Sequence, residues 1–164
     1  MKYFIVALLL LMAAGCSSSG GGADKQQNPV DTLASAKVHT ELAAVYYGQQ
    51  QYGYALDELD FALRMNNRYA PAYGIRGLVH MALLEDRKAK DDFEHSLDLD
   101  GTDSGTRNNY GWFLCQRFSQ RMDQAIDHFM TAARDPLYST PEMSYTNAGI
   151  CEIKRQKYNE GQVF

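Results

Sequence analysis

Apolar residues recur along this chain in a long, regular rhythm. From Ala36 onward, segments with helical spacing of apolar and polar positions follow one another at similar length. Short polar stretches such as Glu85-Asp86-Arg87-Lys88 separate them. Ala43, Gly77, Gly111 and Gly149 each sit near the middle of such a segment; the first three are spaced by 34 residues and the fourth follows after 38. A period of this length, filled by two helical segments, predicts a stack of antiparallel helix pairs. Small residues recur inside each period. They are Ala43, Ala55 and Ala62, then Gly77, Ala89 and Ser96. Gly111, Ala125 and Ala132 follow, if two extra residues are allowed in the turn at 118–121, and then Gly149 and Gly161. Each is Gly, Ala or Ser, as a close approach of two helices requires.

This pattern resembles the tetratricopeptide repeat, a 34-residue helix-turn-helix unit that wants small residues where the two helices of a hairpin come closest. The larger positions agree. Tyr52, Met122 and Tyr158 fall near the start of the second helix, with Asp86 departing in the second repeat, and Leu59, Phe93 and Phe129 fall two turns further on. The proline usual near the end of a repeat is absent. Asn67 and Gly101 stand there and are expected to end their helices in the left-handed conformation. Pro71 opens the next helix, where its missing N–H costs nothing. Residues 35–164 are therefore expected to be all-α: a right-handed superhelix of about three and a half repeats, each touching only its neighbours. The sequence stops at Phe164, inside the expected second helix of the fourth repeat. The resemblance thus implies a truncated product, or a fragment of a longer protein with more repeats.

Ahead of the repeats the pattern changes. Met1-Lys2 is a short positive start, residues 3–12 are apolar, and Ala13-Ala14-Gly15 precede Cys16. The apolar run falls short of the roughly 20 residues that span a membrane comfortably. It has the dimensions of a cleaved secretory signal and is excluded from the fold. The order resembles a bacterial lipoprotein signal, which implies a signal peptide over 1–15 and a lipidated N-terminus at Cys16. Residues 16–34 are expected to be a flexible tether. It begins Ser17-Ser18-Ser19-Gly20-Gly21-Gly22 and has too few apolar side chains to fold up to Pro29. In the usual sorting rule, Asp after the lipidated Cys retains a protein in the inner membrane. Ser17 stands there instead, so the expected home is the periplasmic face of the outer membrane.

Composition narrows the picture. A chain of 164 residues predicts one domain. A formal charge of -4 and a pI near 5.5 argue against nucleic-acid binding. No catalytic constellation stands out, so the expectation is a non-enzyme with no metal and no cofactor beyond the lipid on Cys16. His39, His80, His95 and His128 lie on different segments without metal-ligand spacing, and are expected to be solvated or at a groove edge. Residues 98–103 match a calcium loop poorly and are expected to form the turn between repeats two and three. Asp91, Asp92 and Glu94 suggest a solvated helix face. Cys115 and Cys151 fall on the first helices of adjacent repeats, at positions whose directions differ by about 200°. One can point forward while the other points back, so they are either a disulfide or two buried thiols.

A more specific likeness lies in Asn108-Asn109-Tyr110-Gly111-Trp112-Phe113-Leu114-Cys115-Gln116 and Asn147-Ala148-Gly149-Ile150-Cys151. With His39-Thr40-Glu41-Leu42 and Tyr69-Ala70-Pro71-Ala72-Tyr73, these segments resemble the PilF/PilW family of type IV pilus biogenesis lipoproteins, or pilotins. The resemblance implies an outer-membrane scaffold that binds the type IV pilus secretin and helps its subunits localise and assemble into a multimer. The lipid supplies the address and the concave groove supplies the grip. In such a superhelix the groove wall comes from the first helices. Here that is Thr40, Ala44 and Tyr47 from repeat one, Leu78 and Met81 from repeat two, and Asn108, Trp112 and Gln116 from repeat three. The free chain is expected to be monomeric. The competing reading is another tetratricopeptide lipoprotein that scaffolds cell-wall hydrolases or outer-membrane protein assembly.

The address is directly testable. Cys16→Ala should leave the protein soluble in the periplasm or held by its uncleaved signal, and Ser17→Asp should move it to the inner membrane. Membrane fractionation that finds both variants where the wild type sits would sink the lipoprotein reading.

Overall fold

The computed structural model describes residues 29–161. The expected signal, Cys16 and most of the tether lie outside the described residues. Seven α-helices and no strand are found among them. They are α1 (Pro29–Gly48), α2 (Tyr52–Met65), α3 (Ala70–Ala82), α4 (Asp86–Leu99), α5 (Ser104–Arg117), α6 (Met122–Ala133) and α7 (Pro141–Gly161). A short 3₁₀ turn, Ser119–Arg121, precedes α6 and takes up the two extra residues of the third repeat. The helices pair as antiparallel hairpins, α1 with α2, α3 with α4 and α5 with α6, and α7 packs on α6. First helices lie side by side, α1 on α3, α3 on α5 and α5 on α7. The architecture is the expected tetratricopeptide solenoid.

The turns show how the chain reverses. At the end of α1, Gln51 N–H donates to Tyr46 C=O and Gln50 N–H to Tyr47 C=O, with Gln50 at φ 60°. At the end of α3, Glu85 N–H donates to His80 C=O and Leu84 N–H to Met81 C=O, with Leu84 at φ 62°. Both are Schellman turns with a side chain where glycine is usual. The left-handed residues are therefore inside the hairpins and not, as expected, at Asn67 and Gly101. There the helices stop differently. Asn66 and Asp100 are extended, and their side chains accept from Arg68 N–H and Thr102 N–H. Such Asx turns end a helix without left-handed backbone. α5 then starts on Asp103, whose carboxylate caps Thr106 N–H.

Small residues let the hairpins close. Ala43, Ala55 and Ala62 are fully buried. A methyl group on Gly77 would lie 2.8 Å from the Phe93 ring, and one on Gly111 would lie 2.9 Å from the Phe129 ring. The rings of Phe93, Phe113 and Phe129, with Leu114 and Met122, fill the core of repeats two to four, while Leu59 and Val79 centre that of repeat one.

Both ends depart from expectation. α1 begins at Pro29, so residues 29–34 are helix and not tether. A proline lacks the N–H that a first turn leaves unused, and Asp31 sits favourably against the positive end of the helix dipole. α7 runs unbroken to Gly161, so Tyr158 and Gly161 do not belong to a second helix of repeat four. No Pro or Gly interrupts residues 150–160, and each added residue extends the hydrogen-bonded ladder. Gly149 accordingly has open space around its Cα and no second helix to seat.

Two glycines at equivalent places in the repeat should therefore behave oppositely. Gly111→Ala drives a methyl into the Phe129 ring and Ala125 C=O and should destabilise by about 1–3 kcal/mol. Gly149→Ala meets nothing and should be neutral or stabilising by up to about 1 kcal/mol from helix propensity. Denaturant titration of the two variants checks this; the same sign for both would refute the packing argument.

Candidate partner-binding groove

The first helices present one continuous face. Leu78 and Met81 on α3 and Trp112 on α5 are half-buried and rest on the aromatic core with one side of each side chain. On α7 the same register brings Ile150 and Ile153, which are 44% and 57% exposed. Ala44 is half-buried on α1. Tyr47 is turned toward the hairpin partner of its own repeat, with its ring 6.1 Å from that of Tyr52. Burial, then the nearby Tyr52, raises the pKa of its phenol. Gln116 is half-buried and its Oε1 lies 3.3 Å from Lys154 Nζ.

Two expected wall residues are not available to a partner. Thr40 is buried on the inner side of α1, where its hydroxyl donates to Ala36 C=O at 2.8 Å. Asn108 is buried in the seam between α5 and α7. Its Oδ1 accepts from Ser144 Oγ at 2.9 Å and from Asn147 Nδ2 at 3.1 Å. Both belong to the packing of the solenoid. An unpaired polar group there costs more than a groove contact returns.

The seam between repeats three and four is held further. Cys115 and Cys151 are joined by a disulfide, with Cα atoms 5.9 Å apart and both sulfurs buried. Lys154, which the sequence reading missed, donates to Cys115 C=O at 3.0 Å and caps the end of α5. Its place one residue beyond Ile153 in the register was the available signal.

Other polar groups prove structural. Arg76 Nε and Nη2 donate to the two Asp92 oxygens at 2.8 and 2.7 Å. His80 stands beside them, its Nδ1 2.6 Å from Glu85 Oε2. The hydrogen bond to Asp92 holds the Arg76 guanidinium charged, against the opposing effect of burial. His80 and Asp92 are thus buried, not solvated, because α2, α3 and α4 meet there around Arg76. Glu94 likewise accepts from Tyr110 Oη at 2.7 Å and Lys90 Nζ at 2.6 Å. His39 pairs with Glu58, His95 lies against Tyr73, and His128 lies against Tyr110. Burial lowers the His128 pKa and Arg107 adds to the effect, so the ring is neutral at pH 7.

An open cleft of about 900 Å³ runs along the turns between repeats. Its carboxylates are already engaged: Asp100 with Thr102, Asp103 with Thr106, and Asp135 with Ser104 and Leu137 N–H. The segment 98–103 is the turn between α4 and α5, as expected. No group of His, Cys, Asp and Glu among the described residues could hold a metal ion, and no helix among them is long and apolar enough to cross a membrane.

No family model matches the chain. The crystal structure of PilW, a widely conserved type IV pilus biogenesis factor, superposes with a TM-score of 0.69 at 31% identity, covering 76% of this chain and 56% of that one. Pseudomonas aeruginosa PilF superposes with a TM-score of 0.72 at 22% identity, over 77% of this chain and 56% of that one, a likeness of fold. The tetratricopeptide domain of Arabidopsis OM64 shares the fold too, with a TM-score of 0.62 at 18% identity over 77% of this chain and 98% of that one. By sequence, the type IV pilus assembly protein PilF of Pseudomonas aeruginosa is 25% identical over 96 residues, 58% of this chain and 37% of that protein. The chain thus spans little more than half the length of the solved pilus proteins it matches.

The disulfide closes a separation of 36 residues. By loop entropy it should stabilise the α5–α7 seam by about 3–4 kcal/mol, less any strain. Thiol labelling of the unreduced protein should find neither Cys115 nor Cys151 free, and Cys115→Ser with Cys151→Ser should speed amide exchange in α7 more than in α3. Equal exchange in both helices would show that other contacts hold the seam.

Proposed function

We propose that this PilF/PilW-like tetratricopeptide protein is a scaffold of type IV pilus biogenesis that grips a segment of the pilus secretin. The observation that carries the reading is the apolar row on the first helices. Leu78, Met81 and Trp112 give firm, half-buried anchors, and Ile150 and Ile153 continue the row in the open. A surface of this kind suits an extended or helical segment that lays apolar side chains along it. Aromatic and large aliphatic anchors seated on a rigid base carry most of the energy in such contacts.

The pilus context comes from the likeness to PilW and PilF, of which this chain covers 56%. In this reading Cys16 carries the lipid that holds the scaffold at the outer membrane. The tether from Cys16 to Pro29 lets the groove reach a partner at the membrane surface. The work is physical: binding lowers the cost of bringing secretin subunits together at the correct membrane. No bond is made or broken.

Charges in the row should break the grip while leaving the solenoid folded. Ile153→Glu changes a side chain that stands largely in solvent, so it tests binding with little risk to the core. Leu78→Glu with Met81→Glu tests the anchors, and should weaken secretin binding by roughly 30-fold or more if they are central. Asp91→Lys, on an exposed outer face, is the control. Pull-down of the secretin at wild-type levels by all of these variants, with helicity intact, would place the site elsewhere.

A further inference from the structure

α1 has two apolar sides. Its inner side carries Ala36, Thr40 and Ala43, all buried against α2 and α3. At 100° per residue, Ala34, Val38, Leu42 and Val45 fall within about 80° of one another on the opposite side. Ala34 is exposed, and Val38, Leu42 and Val45 are 59%, 37% and 54% exposed. One flank of this stripe carries a single charged pair, Lys37 and Glu41, one turn apart at 3.9 Å and both about two-thirds exposed (64% and 65%).

We propose that this stripe is a self-association surface, on which α1 of a second copy of this chain packs antiparallel. The charges select that occupant. A twofold axis that reverses the direction of α1 keeps the charged flank of one copy beside the charged flank of the other. Lys37 then faces Glu41 of the second copy, and Glu41 faces its Lys37. The apolar stripe matches in the same register, with Val38 on Leu42 and Ala34 beside Val45. A parallel pair would put the two charged flanks on opposite sides of the contact, so Lys37 of one copy would not face Glu41 of the other. A uniformly acidic or basic partner would satisfy only one of the two charges. The contact is small, below the roughly 1,200 Å² of a stable complex, so the pair is weak and forms where copies are concentrated. It joins two solenoids at their first repeats and leaves both apolar rows on the later first helices free. This departs from the monomer that the sequence suggested.

Cysteine pairs read the register in the full chain. Ala34→Cys and Val45→Cys chains, carrying tags of different size, are made in the same cells and treated with a mild oxidant. The mixed dimer should exceed the dimer from either variant alone by at least tenfold, because only the antiparallel register brings the two positions together. Adding Val38→Glu to both chains should remove it, and this exposed change should leave the thermal unfolding of the chain in place. Lys37→Glu should weaken the mixed dimer, and adding Glu41→Lys should restore it. The proposal is overturned if the mixed dimer is no stronger than the single-variant products, if it survives Val38→Glu, or if the cysteines instead cross-link to a different protein.

Discussion

The seat of a phenylalanine ring on a glycine is the contact on which this solenoid depends. Phe93 of α4 lies against Gly77 of α3, and Phe129 of α6 lies against Gly111 of α5. A glycine in a helix costs about 1 kcal/mol relative to alanine. Full burial of a large apolar side chain contributes about 1.5–3 kcal/mol, and it is available here only because no methyl group holds the helices apart. The exchange is favourable at these two hairpins, and it sets the distance between the two helices of each. Every further contact assumes that distance: the aromatic cluster of Phe93, Tyr110 and Phe113, the polar bonds between repeats, and the spacing of the first helices.

Polar groups then fix how the helices sit on one another, within a repeat and between repeats. Ser96 donates to Ala70 C=O from helix to helix within repeat two, and Arg76 binds Asp92 across the same hairpin. Asn108 gathers Ser144 and Asn147 between repeats three and four, where the disulfide and Lys154 add a covalent and a charged link. These bonds are directional, and a buried polar group that loses its partner is penalised. They therefore specify register and curvature in a way that apolar packing alone does not. The seam behind the exposed Ile150 and Ile153 is the most heavily tied, so the open end of the apolar row stands on a rigid base.

The row on the first helices and the stripe on α1 both leave apolar side chains in solvent, and they differ in kind. The row on the first helices is broad and deepened by Trp112, as suits a segment of another protein. The stripe on α1 is narrow, flat and self-complementary in charge, as suits a second copy. Their separation along the solenoid lets one scaffold use both at once.

The repeat was legible in the sequence because it rests on local physics. Helical periodicity, turn residues and small residues at fixed spacing are written in order along the chain, and the close approach of two helices demands them wherever it occurs. The half-buried side chains of Leu78, Met81, Trp112 and Gln116 could be placed on the first helices by that register alone. What the register could not show is which polar side chains find partners far away in sequence. Asn108 and Thr40 occupy groove positions in the repeat but are claimed by the seam and by the helix backbone. Asp92 and His80 look solvated in a linear reading and are buried by a meeting of three helices around Arg76. The hairpin that α7 does not complete, the helix that reaches back to Pro29, and the second apolar side of α1 likewise depend on what packs against each helix. Spacing along the chain determines which faces a helix has, and only the tertiary structure decides which of those faces is covered.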